Sequence, residues 1–154
     1  MNQATCVAVS IYAEALTYGK RYEIIARDEG KNQVKIRGDN GRARWYPCGC
    51  FDMTGREVPR LLHIQFSDPI EVPVTSSVEV DLEFSDDQRR WCYFITPEIL
   101  SQLGGEKMLG TERLLSYHAP HMIVVSTISR EIIELALSYI ESQGELFASS
   151  KLIE

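Results

Sequence analysis

From Arg21 to Tyr46 the chain reads RYEIIARDEGKNQVKIRGDNGRARWY: three short β-prone runs separated by two turns. Arg21 to Asp28 is the first run, Glu29-Gly30 the turn after it, and Gln33 to Arg37 the second run. Asp39-Asn40-Gly41 is the next turn and Arg42 to Tyr46 the third run. Thr5 to Ser10 upstream alternates in the same way. Strands this short at this spacing predict a small closed barrel.

The second turn sets what faces outward. With Asn40-Gly41 as a two-residue hairpin turn, Ile36 pairs with Trp45, Arg37 with Arg44 and Lys35 with Tyr46. Val34, Ile36, Ala43 and Trp45 then share the inner face. Lys35, Arg37, Arg42 and Arg44 share the outer one, beside Tyr46 and Asp39. Like charges opposite one another on an exposed face repel, so this cluster calls for an anion or an acidic surface unless Asp39, Glu23 or the acidic second half neutralises it locally. Lys35, Arg37, Arg42, Arg44 and Tyr46 are therefore the candidate partner-binding residues.

LTYGKRYEII (Leu16 to Ile25), followed after two strands by RWYPCGCFD (Arg44 to Asp52), resembles the small SH3-like barrels of uncharacterised bacterial and phage proteins. These carry Leu-Thr-x-Gly-Lys-x-Tyr-x-Val and end Tyr-Pro-x-x-x-Phe. The resemblance covers roughly the first third of the chain and implies a fold and a binding habit, with no defined activity. It implies that Leu16, Tyr22, Ile24 and Trp45 pack the barrel, that Gly19 allows the tight turn before the second strand, and that Pro47 to Phe51 form a short helical turn closing one end. Cys48 and Cys50 depart from the pattern, standing where such barrels carry charged or polar residues.

Beyond Phe51, Gly55, Pro59, Pro69 and Pro73 punctuate an extended crossing segment, with Leu62, Ile64 and Phe66 alternating inside it as one strand. The predicted domains are residues 1–56, the barrel, and residues 57–154, an α+β domain. In the latter Val78, Val80, Leu82 and Phe84 alternate with Glu79, Asp81 and Glu83 as a half-buried strand. Ser85-Asp86-Asp87-Gln88 turns it into Arg90 to Ile95, with Leu82 opposite Trp91, Val80 opposite Tyr93 and Glu83 opposite Arg90. Thr96 caps a short helix from Pro97 to about Leu103, stopped by Gly104-Gly105. Met122 to Val125 is a continuous apolar strand. Ser129 caps a last helix whose stripe is Ile132, Ile133, Ala136, Leu137 and Ile140, with Gly144 just past its end. Strand, strand, helix, strand, helix describes α+β architecture with two helices on a small sheet. This half resembles, more loosely, small bacterial α+β proteins with a Thr-Pro-Glu helix and a His-Met-Ile-Val-Val-Ser strand, for which no activity follows.

The 154 residues are 44% apolar and 25% charged, an ordinary globular composition. No apolar run approaches the roughly 18 residues of a membrane span, and MNQATCVAVS has no charged leader before an apolar stretch, so a cytoplasmic protein is expected. The formal charge is −6, unevenly spread: residues 1–68 hold 10 Lys and Arg against 8 Asp and Glu, residues 69–154 hold 6 against 14. The two halves should face different partners, or each other.

Signals for chemistry are sparse. Cys6, Cys48, Cys50 and Cys92 include no Cys-x-x-Cys pair, so reduced thiols are expected and no metal, even with His63 counted as a further ligand. His118-Ala-Pro-His121 offers two imidazoles, but Pro120 keeps them off one helical face and no hydrolase, zincin or phosphate-loop motif accompanies them. Glu79, Asp81, Glu83, Asp86 and Asp87 lack the glycine and terminal Glu of a calcium loop, and Arg89 and Arg90 neutralise part of this face. Arg37-Gly38-Asp39 is a cell-adhesion tripeptide by spelling only. The expectation is a non-enzymatic interaction protein without cofactor, binding a protein or other macromolecule through the barrel face. Nucleic acid and membrane are not expected as partners. The alternatives are an immunity-type or antitoxin-like inhibitor using the acidic half, a nucleic-acid-binding module, and last a His-dependent enzyme.

Overall fold

A computed structural model describes residues 2–102 and 119–154, and the backbone of 106–107 and 114–116. His118 and Gly104-Gly105 lie outside the described residues. The chain divides into two compact units, Met1–Arg60 with Tyr139–Glu145, and Leu61–Ser138 with Leu146–Glu154. Among the described residues, an antiparallel sheet, a mixed sheet and two helices make the class α+β.

The first unit is built on β1 (Gln3–Cys6), β2 (Arg21–Asp28), β3 (Gln33–Arg37), β4 (Ala43–Pro47) and β5 (Phe51–Asp52), with a 3-10 turn at Cys48–Cys50. The sheet is antiparallel in the order β4-β3-β2-β1-β5. It is open, since its end strands β4 and β5 do not pair, and the expected closed barrel is not seen. The core collects Leu16, Tyr22, Ile24, Val34, Ile36, Tyr46 and Phe51. Gly19 takes φ +78° and donates its N–H to the Cys6 carbonyl at 2.8 Å, the tight turn before β2.

Both predicted hairpin registers are off by one residue, for the same reason. On β3 and β4, Lys35 pairs with Trp45, Val34 with Tyr46, Ile36 with Arg44 and Arg37 with Ala43. The loop has three residues: the Gly38 N–H reaches the Arg42 carbonyl at 3.0 Å, and Gly41, at φ +78°, supplies the left-handed step such loops require. In the second unit Leu82 pairs with Arg90, Val80 with Cys92, Asp81 with Trp91 and Glu79 with Tyr93. There the Phe84 N–H meets the Gln88 carbonyl at 3.0 Å and Asp87 takes φ +64°. Side chains alternate with period two, so each slip moves one strand's whole set to the other face.

The second unit's main sheet is β6 (Leu61–Phe66), β7 (Val78–Phe84), β8 (Arg89–Ile95) and β11 (Met122–Val124), in the order β11-β8-β7-β6, with β12 (Lys151–Leu152) also on β8. The pair β9 (Glu106–Lys107) and β10 (Leu114–Ser116) forms a separate two-stranded sheet. Val80, Leu82, Phe84, Cys92, Phe94, Ile123, Ile133 and Leu137 are buried. Helix α1 runs Pro97–Leu100, shorter than expected, with Thr96 Oγ1 accepting from the Ile99 N–H at 3.2 Å. Helix α2 runs Arg130–Ser142, and Ser129 Oγ caps it by accepting from the Ile132 N–H at 3.2 Å. No helix among the described residues is long and apolar enough to cross a membrane.

Candidate interaction face on the β3–β4 hairpin

The five residues expected to bind a partner do not share one face. Lys35 and Arg37 lie on the outer side of β3, while Arg42 and Arg44, in phase with Tyr46, are exposed at the margin of the opposite side. Tyr46 is fully buried, edge-on to Tyr12 at 5.0 Å and to Phe51 at 6.2 Å, and cannot anchor a partner. The predicted outer face is corrected accordingly: one extra loop residue exchanges Tyr46 for Trp45.

Trp45 is the residue that sequence reasoning misplaced. It is 42% exposed, and Lys35 Nζ sits over its ring at 6.0 Å from the centroid. Such a pair on an open surface contributes about 0.5–1 kcal/mol. Ala26, Lys35 and Trp45 form one cross-strand row over β2, β3 and β4, and Ile25, 50% exposed, stands at the bulge in β2 beside it. A signal was available in the sequence: the Asp39-Asn40-Gly41 triplet fits a three-residue loop as well as a two-residue one, and only the former sends Trp45 outward.

The hairpin tip is tied down. The Arg37 guanidinium donates to the Gly41 carbonyl at 2.7 Å. Asp39 does not neutralise the arginines; it accepts from Thr17 Oγ1 at 2.7 Å, from the Tyr22 hydroxyl at 3.0 Å and from Lys20. Burial alone would raise the Asp39 carboxyl, but hydrogen bonds from Lys20, Thr17 and Tyr22 outweigh it and hold it below the usual carboxylate range. The Thr17-to-Tyr22 motif thus acts as a clamp on the tip, and the outer row sits on a fixed frame.

The other candidate chemistry is dispersed. All four cysteines are free, with Cys6, Cys50 and Cys92 buried. Among the described residues no group of three His, Cys, Asp or Glu side chains is arranged to hold a metal. His121 packs on Trp91 at 4.3 Å and on Tyr93 at 5.1 Å. Burial, then the Lys151 charge, lower its pKa against the opposing pull of Glu79. Trp91 and Tyr93 share the face of Asp81 and Glu79, not that of Leu82 and Val80 as the predicted register had it. Arg89 Nη2 lies 3.7 Å from Asp81. Arg90, expected to neutralise the acidic face, is on the other side, donating to Ser150 Oγ at 2.8 Å and to the Phe147 carbonyl at 2.9 Å. In comparisons with protein families, curated proteins and solved structures, nothing matches this chain.

Proposed function

We propose that the chain is a non-enzymatic interaction protein whose N-terminal unit is an SH3-like module binding an acidic protein surface through Trp45, Lys35 and Arg37. The observation that carries this reading is the outward cross-strand pair in which Trp45, 42% exposed on the end strand β4, stands opposite Lys35, whose ammonium lies over its ring. A half-exposed Trp flanked by cations has the make-up of a hot-spot anchor. The SH3-like assignment draws support from five short antiparallel strands, with a 3-10 turn before the last, over a core containing Leu16, Tyr22 and Ile24.

The split of the basic residues bears on the nucleic-acid alternative. Lys35 and Arg37 face one way while Arg42 and Arg44 face the other, so phosphates would meet two cations, too few for affinity at physiological salt in a chain of net charge −6. An inhibitor acting through the acidic half gains one observation, the presence of Trp91 and Tyr93 beside Asp81 and Glu79; a toxin gene adjacent to this one would favour it.

The test compares proteins captured from host extract by the wild type, Trp45→Ala and Lys35→Glu, alongside fluorescence titrations with a DNA duplex and single-stranded RNA. Proteins held by the wild type and lost by both variants, with no nucleic-acid binding, are expected. Sub-micromolar nucleic-acid binding abolished by Arg37→Ala with Arg44→Ala overturns the reading, as does capture indifferent to Trp45.

A further inference from the structure

A sheet edge presents unpaired N–H and C=O groups, and proteins blunt such edges by shortness, charge, proline or bulges. In the first unit β5 has two residues, while β4 contains Arg44 and ends at Pro47. In the second unit β11 has three residues and β12 two, both along β8. The remaining edge, β6, is unlike these. It has six residues, LLHIQF, with no Lys, Arg, Asp, Glu or Pro, and among the described residues it pairs with β7 alone.

An irregularity between Leu61 and His63 disturbs only the first end of β6, and from His63 to Phe66 its register with β7 is regular. Just beyond, the Ser67 N–H donates to the Glu79 carbonyl at 3.4 Å. By antiparallel alternation Gln65 and His63 also turn their backbone groups toward β7. Ile64 and Phe66 therefore present theirs to the open side. A cleft of about 540 Å³ has Ile64, Phe66, Asp68, Ile70 and Arg130 among its walls. The Arg130 guanidinium is stacked 5.0 Å from the Phe66 ring centre, and its Nε is 3.1 Å from Glu134. The cation in the wall is thus already paired and makes no demand for an acidic peptide.

We propose that a second copy of this chain occupies this edge, β6 against β6 antiparallel, about a two-fold axis at Gln65. In that register Ile64 exchanges both backbone hydrogen bonds with Phe66 of the second copy, and Phe66 with its Ile64. Gln65 lies against Gln65, and His63 against Ser67. An isologous interface must be its own complement, and this strand is: apolar meets aromatic, amide meets amide, and no charge meets its like. Among the described residues each copy has one such edge, so assembly closes at the dimer.

Light scattering on the full chain at about 100 µM, a concentration at which even a micromolar interface is filled, should give twice the 17.5 kDa chain mass. Gln65 is exposed and faces Asp81 within its own sheet, so Gln65→Lys leaves the fold intact while opposing two ammonium groups on the axis. The expected result is monomer with an unchanged circular dichroism spectrum. In a Cys48→Ser background, oxidised Gln65→Cys should form a covalent dimer, because the two positions form a non-hydrogen-bonded pair, and His63→Cys should not. A wild-type monomer at that concentration, a dimer indifferent to Gln65→Lys, or the absence of the Gln65→Cys cross-link overturns the proposal.

Discussion

Lys35 and Trp45 stand directly opposite one another on β3 and β4, the ammonium 6.0 Å from the indole centre. The same pairing sets Tyr46 beside Val34 in the core, both fully buried. Two adjacent aromatic residues therefore have opposite duties, one holding the fold and one facing solvent.

Their substitutions should separate cleanly in chemical denaturation. Tyr46→Ala should cost about 3–5 kcal/mol, as for other large buried rings, and Trp45→Ala about 1–2 kcal/mol. Among the described residues the buried Tyr46 hydroxyl has no hydrogen-bond partner, so Tyr46→Phe should be neutral or slightly stabilising. The reverse ranking, with Trp45→Ala the more damaging, would restore the two-residue turn.

The loop-closing residues should respond with opposite signs. A Cβ on Gly41, which sits at φ +78°, would meet open space, so Gly41→Ala meets backbone strain alone and should lose about 1 kcal/mol. Asp87 already bears that strain at φ +64°. Asp87→Gly should therefore gain a few tenths to about 1 kcal/mol in thermal denaturation.

The clamp at Asp39 predicts a dependence on acid. Its folded carboxyl titrates below the ordinary value of 3.8, so its stabilisation is complete above that value and is lost as pH falls through the lower folded one. Asp39→Asn should lower stability by about 1–2 kcal/mol near neutrality and remove this part of the acid dependence. Urea midpoints for both proteins across the acid range test it, and parallel profiles would rule out the clamp.

Thiol labelling should be selective. Burial pushes the Cys6 and Cys92 thiols up to about 12 and raises that of Cys50, whereas Cys48 is only half-buried. At mildly alkaline pH an alkylating reagent should modify one cysteine rapidly, mapped to Cys48 by mass spectrometry. Fast modification of Cys6 or Cys92 in native protein would contradict the packing around β1 and β8.

Local chemistry was enough to read many elements of this protein from residue types. Thr96 and Ser129 announce helix starts because their side-chain oxygens satisfy free N–H groups. Gly19 announces a turn because φ +78° favours a residue without Cβ. The β2, β3 and β7 segments follow from their alternation, β8 from the turn at Ser85-Asp86-Asp87-Gln88 that precedes it, and β6 from the alternation of Leu62, Ile64 and Phe66. Register was not legible in this way, since Asn40-Gly41 and Ser85-Asp86-Asp87-Gln88 are compatible with more than one loop length, and the alternatives differ little in local energy. The choice falls to long-range packing: Tyr46 fits among Tyr12, Val34 and Phe51, and Arg90 reaches Ser150, sixty residues away in sequence. Because strand side chains repeat every two residues, that choice inverted β4 and β8 entirely, sending Trp45 to solvent and dividing the basic residues between two faces.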